Sequence, residues 1–277
     1  MATVRELIAK RYGGLANFGG DEPATGTIAQ LLNRRSNRRY RDEKVPDALV
    51  EVLLACAQSA PTKSNLQQYS IVVITDRKVR EALAPLCRRT KGIEDVPLLV
   101  AFCADMRRGQ RICEFRGHPH MNNSIDTFHN ATVDAALVMG FFVVAAEAAG
   151  LGCAPLSSMR DEAEGVAKVL GLPPGVFCIA GVMAGWPAAE GYINQRIPPS
   201  IAVHRDRYDE SRLAQDIDAY DRARHAIFPQ APDKQRHPDK YGYADPYYWS
   251  EGVARQLAEP ERANFGPFLK RHGFDLA

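Results

Sequence analysis

The sequence lacks most of the short signatures that announce a chemistry. It has no G-x-x-x-x-G-K-[ST], no G-x-G-x-x-G, no H-E-x-x-H and no G-x-S-x-G. That removes a P-loop, a dinucleotide fingerprint, a zincin and a nucleophile elbow as starting points. The six cysteines (Cys56, Cys87, Cys103, Cys113, Cys153, Cys178) contain no C-x-x-C. Most lie in apolar runs, where cysteine reads as a small core residue rather than part of a disulfide framework or a zinc site. Excess charge is also missing: the net charge is +2 over 277 residues, whereas a nucleic-acid domain shows a broad basic excess. The most hydrophobic stretch, Ala135 to Ala146, is bounded by Asp134 and Glu147 and is too short to span a bilayer. The opening "MATVRELIAKRYGG" is charged where a secretory signal has its apolar centre. The expectation is a soluble, cytoplasmic protein with no membrane or nucleic-acid partner. His118 and His120, beside a proline and without carboxylate company, read as an exposed loop rather than a metal site.

What is present is a mixed succession of helices and strands, with no internal repeat. Residues 1–26, with two Gly pairs and "DEPATG", read as an irregular extension holding one short helix. Thr27 is placed to cap a helix through Leu32, with Ile28, Leu31 and Leu32 on one face. A stronger helix follows Pro46, with Leu49, Val52, Leu53, Cys56 and Ala57 at helical spacing, and stops at Ala60-Pro61. "YSIVVIT" (69–75) is a continuous β-branched run, which predicts a strand buried on both faces. "REALAPLC" predicts a helix ended or kinked at Pro85, and "PLLVAFCA" (97–104) a second buried strand. A long helix from Asp126 to Ala149, a strand at "CAPLSS" (153–158) and a strand at "VFCIAGVMAG" (176–185) complete the core. Asp161 and Glu164 have the spacing of a capping box opening a helix that ends at Gly171. Beyond Gly185 the chain turns loop-like, then charged and helical, and closes with two short helices split at Pro260. The pattern predicts one α+β or α/β domain over 27–277, with about 203–277 as a C-terminal helical excursion.

Three segments pair polar residues with sharp turns. "RRSNRRYR" (34–41) offers Arg34, Arg35, Ser36 and Arg38 as guanidinium forks and a hydroxyl for a phosphate. Taken alone, that stretch is explained slightly better by a solvated bend paired with Asp42 and Glu43. In "APTKSNLQQYS", polar side chains and backbone N–H groups lead straight into a strand, which suits edge-on contact with a heterocycle. In "GLGCAPLSSMRDE", a strand ends at Ser157-Ser158 just before a helix N-terminus. An ordinary capped turn accounts for either of these two segments taken alone. Arg196, in "NQRIP", adds a fourth basic point.

The order of these segments carries more than any one of them. R-R-S-x-R, A-P-[ST]-x-x-N-x-Q, G-L-G…R-x-[DE], L-G-L-P-x-G-V, G-W-P and R-I-P in succession resemble the flavin-dependent nitroreductases. "GWPAAEGYINQRIPPSIAVHRDRY" and "YYWSEGVARQLAEPERANFGPFLKRHGF" are similar to the NADPH-linked group of oxygen-insensitive nitroreductases and flavin reductases. The likeness runs from about residue 27 to the C-terminus.

The resemblance implies an α+β fold, a nitroreductase-like mixed sheet flanked by helices, in an intertwined homodimer with FMN at the subunit interface. It implies a phosphate site at Arg34, Arg35, Ser36 and Arg38, helped by Asn194 and Arg196. The loop carrying Thr62, Ser64 and Gln67 would reach the isoalloxazine from the other subunit; Leu156, Ser157 and Ser158 would lie near the ring and its N5, and Thr90 at its pyrimidine edge. Three positions depart from the group: Asn194 replaces a lysine, Ser157-Ser158 a glycine pair, and Thr90 an amide. The implied activity passes hydride from NADPH or NADH through the flavin to a nitroaromatic, quinone or related small-molecule acceptor, with no catalytic side chain required. Arg222, Arg224, Lys234 and Arg236 are candidates for the NADPH phosphate; Phe115, Phe128, Tyr243 and Tyr247 for stacking on the ring. Residues 1–26 are expected to form an arm on the partner subunit. Two rival readings are a different flavin reaction on the same fold (dehalogenation, dehydrogenation or consumption of the flavin) and a basic-patch nucleic-acid or adaptor protein.

Overall fold

A computed structural model of the chain describes residues 1–276; Ala277, the end of the expected 27–277 domain, lies outside the described residues. In chain order the helices are α1 (Val4–Arg11), α2 (Gly26–Asn33), α3 (Asp47–Gln58), α4 (Arg77–Leu83), α5 (Arg107–Arg116), α6 (Ile125–Ala148) and α7 (Ala163–Val169). They continue with α8 (Pro199–Ala202), α9 (Leu213–Ile227), α10 (Pro238–Tyr241), α11 (Trp249–Leu257) and α12 (Phe265–Arg271). The strands are β1 (Tyr69–Ile74), β2 (Leu98–Asp105), β3 (Gly152–Leu156) and β4 (Val176–Gly185). The chain separates into two compact units, a helical unit of Met1–Arg35 with Tyr192–Glu261 and a sheet unit of Ser36–Gly191 with the segment from Arg262 onward.

In the sheet unit, the described residues form a four-stranded sheet of order β1-β2-β4-β3, antiparallel at every ladder. Among the described residues, parallel pairing enters only as the single bridge Ser36–Cys153. The continuous apolar runs of β2 and β4 are explained by position: both are central, and every residue of both is buried. Strand alternation divides β2 between two cores. Leu98, Val100, Phe102 and Ala104 face α6, where Ala131, Val138 and Phe142 are buried; Leu99, Ala101 and Cys103 face Leu83, Met159 and Val166. By length and composition α6 could cross a membrane, longer than the Ala135–Ala146 run implied. In this unit it is a core helix laid along the sheet.

Several local expectations need correction. β1 is not buried on both faces: it is an edge strand with only Tyr69 and Ile74 buried. A β-branched run fits a half-covered edge as readily as a core strand, so composition could not separate them. Two of the five residues of the apolar face expected for α3 are open, with Val52 57% exposed and Cys56 exposed. α2 begins one residue before Thr27 without a side-chain cap, and Ile28 and Leu31 are exposed. Asp161 opens no capping box, because α7 starts at Ala163 and Asp161 is engaged by arginines instead. Cys87, Cys103, Cys153 and Cys178 are buried as expected, Cys56 and Cys113 are not, and no disulfide joins any of them among the described residues.

The helical unit is held differently. α1 opens with a capping box in which Thr3 Oγ1 accepts from the Glu6 amide at 3.2 Å and Glu6 accepts from the Thr3 amide at 2.8 Å. Residues 20–24 fold back along its start through backbone bonds from Val4, Arg5 and Ala24. Fully buried Tyr220 of α9 meets Trp249 of α11 edge-on at 5.2 Å, and Tyr220 Oη donates to the Gln195 carbonyl.

Candidate functional site

The basic segment is divided between the units, and each half has its own support. In the helical unit α2 ends at Asn33, so Arg34 and Arg35 follow directly, with Arg35 Nε donating to the Asn33 carbonyl at 3.1 Å. Residues 193–196 alternate buried and exposed, which turns Asn194 and Arg196 to the same side. Arg34, Arg35 and Arg196 gather around a fourth arginine that the sequence reading missed. Arg11, at the end of α1, is 8% exposed. Burial, then repulsion from Arg196, Arg34 and Arg35, draws its guanidinium below the usual arginine range. Nothing local marks Arg11; only tertiary folding brings α1 to the other three.

In the sheet unit, Ser36 forms the parallel bridge to Cys153 and the Asn37 amide donates to the Cys153 carbonyl at 2.9 Å. Gly152 is required for this approach, since a Cβ there would come within 2.7 Å of the Asn37 Cβ. Buried Asn37 then fixes the turn, donating to the Ala189 carbonyl at 2.8 Å and accepting from the Arg39 amide at 2.9 Å. Arg38 is exposed beside it. Arg39 is also exposed, and exposed Arg41 lies 3.7 Å from Glu43, in keeping with solvated charge.

The loop of Thr62, Ser64 and Gln67 is conformationally strained. Ser64, Asn65 and Gln67 all have positive φ, at 49°, 56° and 52°, in the region that disfavours side-chain-bearing residues. Such strain persists only when the surroundings over-determine it, and it concentrates at functional loops. Here the clamp is Asp134 of α6, buried to 1% exposure, which accepts from the Lys63 amide at 2.8 Å and the Gln68 amide at 3.0 Å. Arg108 of α5 adds a bond to the Gln67 carbonyl at 2.8 Å. Ser64 and Gln67 remain exposed. Asp134, read in the sequence only as a boundary of an apolar run, was missed as a loop anchor.

At the end of β3 the structure brings Thr90 and Ser158 together, their hydroxyls 2.6 Å apart, while Leu156 is buried and Ser157 is exposed. Arg262 reaches back to the Ser157 carbonyl and hydroxyl at 3.3 Å and to Asp161 at 3.1 Å, and Arg89 meets Asp161 at 2.6 Å. Burial alone would push the Asp161 carboxyl up, but hydrogen bonds and charge from Arg89 and Arg262 hold it below the usual range. The strained loop and the Ser157-Ser158 turn are thus held by separate sets of partners.

In the helical unit, Arg224, Lys234 and Arg236 line one pocket of about 400 Å³ walled by Tyr247, Tyr248 and Trp249. Arg222 is not among its walls and pairs with Asp218 on its own helix. Two of the proposed stacking aromatics are structural instead. Phe128 packs in the core against Phe177 at 5.3 Å, and buried Tyr247 accepts from the Arg236 amide. Phe115 and Tyr243 are 73% and 70% exposed.

Residues 31–186 match the model of the nitroreductase family, and residues 194–277 match that of the nitroreductase family C-terminal domain. The chain belongs to the nitroreductase family. It is 31% identical to the oxygen-insensitive NADPH nitroreductase of Salmonella typhimurium over 252 residues, covering 90% of this chain and 98% of that one. The solved structure of B. megaterium NfrA2 superposes with a TM-score of 0.82 at 27% identity, over 91% of this chain and 98% of that one. The NADPH:FMN oxidoreductase of Vibrio harveyi, solved in complex with NAD+, gives a TM-score of 0.78 at 26% identity, over 90% and 98%.

Proposed function

We propose that the protein is an FMN-dependent NAD(P)H oxidoreductase that reduces nitroaromatics, quinones or related acceptors by a ping-pong exchange. The observation that carries this reading is the gathering of Arg34, Arg35 and Arg196 around buried Arg11. Buried Arg11 and its three neighbours repel one another, and a phosphate ester is the anion whose geometry the forks of Arg34, Arg35 and Arg196 match. Bound FMN would supply two-electron transfer through N5, from NAD(P)H to an acceptor occupying the vacated position.

The chain's own residues then have distinct tasks. Arg34, Arg35 and Arg196 are the phosphate-holding residues of the helical unit, and Ser36 and Arg38 those that the sheet unit offers from the same segment. The clamped loop of Thr62, Ser64 and Gln67 presents its polar groups to a ring, preorganised by Asp134 so that little ordering is left to binding. Ser157, its exposed hydroxyl oriented by Arg262, and Thr90, paired with Ser158, would contact the flavin ring. The Arg224, Lys234 and Arg236 pocket suits the extra phosphate of NADPH. A homodimer in the cytoplasm is part of this reading. The outer face of α6 shows Val133, Leu137 and Phe141, 40%, 39% and 42% exposed at four-residue spacing, an apolar stripe that a second copy would cover.

The test is an absorption spectrum of the purified protein with and without added FMN, followed by NADPH oxidation with nitrofurazone. Flavin bands and acceptor-dependent oxidation are expected. A colourless protein that gains no flavin would remove the flavin reading, and a yellow protein inert toward nitro and quinone acceptors with either nicotinamide would leave only another flavin reaction.

A further inference from the structure

We propose that Arg11, from the N-terminal segment that precedes the family match, is a positioning residue that sets the phosphate-binding arginines in place. The inference rests on the flavin reading above and adds a component from outside residues 31–186 and 194–277. Its basis is geometric. Arg11 Nη2 donates to the Leu32 carbonyl at 2.8 Å and the Arg34 carbonyl at 2.5 Å, while Nη1 donates to the Asn194 carbonyl at 3.1 Å. Its own carbonyl accepts from the Arg196 amide at 2.9 Å. One residue therefore ties down the backbone that carries Arg34 and both sides of Gln195.

The contact is built closely. Gly13, at φ +62°, lies against Gln195, where a Cβ would come within 2.7 Å of the amide nitrogen. Gln195 is itself buried, and Tyr220 fixes its carbonyl from the other side. Both terminal nitrogens of Arg11 donate to main-chain carbonyls, so its role is to orient neighbouring arginines and to add positive potential. Both effects act on a phosphate and leave the isoalloxazine contacts of the sheet unit unchanged.

That selectivity supplies the test. The full chain, freed of flavin, is titrated with FMN and with riboflavin, which lacks the phosphate, and binding is followed by quenching of flavin fluorescence. For Arg11→Met the expected result is an FMN affinity weakened about tenfold or more, with riboflavin affinity held within about twofold. Arg11→Lys keeps the charge, but its single nitrogen replaces two guanidinium nitrogens that reach carbonyls in different directions; an intermediate loss of FMN preference is expected, and this variant carries the test if Arg11→Met does not fold. Arg5→Met, on the same helix but paired with Asp21 at the surface, is expected to leave the FMN-to-riboflavin ratio unchanged. Wild-type binding with an unchanged ratio in the Arg11 variants would overturn the assignment alone. An equal shift in Arg5→Met would overturn it too, by tracing the effect to helix stability. A wild-type chain that binds no FMN would bring down the functional reading and this one with it.

Discussion

Phe102 and Phe142 meet at 5.4 Å in the sheet unit, both fully buried among other hydrocarbon side chains. In the helical unit a comparably buried position is taken by Arg255, 4% exposed. Its guanidinium pairs with Glu251 at 2.6 Å, donates to the Arg236 and Gly242 carbonyls and lies 5.3 Å from the Tyr247 ring centre. Arg11 is likewise buried and donates to main-chain carbonyls. Hydrocarbon packing is tolerant of exact placement, whereas a buried guanidinium is stable only where carbonyls meet it at defined distances. The sheet unit is thereby a stable platform, and the helical unit uses costly buried charge to fix loops that have little apolar content of their own.

Breaking the platform is expected to have the largest effect. Phe102→Ala is expected to lower the unfolding free energy by about 3–5 kcal/mol, measured by urea denaturation, because the site is closed on all sides. Arg255→Met is expected to cost about 2–3 kcal/mol by leaving two backbone carbonyls without their charged donor. Hydrogen exchange would sharpen the contrast: amides of α11 are expected to lose protection while β4 keeps its own. Equal loss in β4 would show that the two units do not differ in the way described.

The smallest effect is expected where the sheet unit itself uses ions. The carboxyl of Asp161 is held below the usual aspartate value of about 3.9 by Arg89 and Arg262, so its pairing contributes fully above that value. The contribution is lost as the pH falls through the depressed native value. With Arg89 half exposed, it amounts to about 1 kcal/mol or less. Denaturation curves recorded down to acid pH are expected to show a shallower decline in Asp161→Asn than in the natural chain.

Much of the sheet unit was legible in advance. β4 occupies the residues its sequence run indicated, and α6 lies where the long apolar stretch placed a helix, because long apolar patterns have few alternatives in a core. The polar loops were legible as positions and not as mechanisms. "TKSNLQQ" announced a turn, but three consecutive features of it, the positive φ values, the buried clamp and the brace from Arg108, depend on α6 and α5 arriving from far along the chain. Phe128 and Tyr247 were misread for the same reason, since an aromatic side chain has the same pattern whether it fills a core or faces a ligand.

By itself, the sequence determined the family, the order of the elements and the candidates Arg34, Arg35, Ser36 and Arg38, since these rest on local patterns and their succession. Tertiary structure alone decided what supports them. Asn37 fits because Gly152 has no side chain, and Asp134 closes a loop some seventy residues before it. Arg11 joins Arg34 and Arg196 only where three distant stretches of backbone turn their carbonyls and amides toward one side chain. A hydrogen bond to a main-chain carbonyl leaves no mark in the identity of the residue that supplies it, so no reading of residue types could have found it.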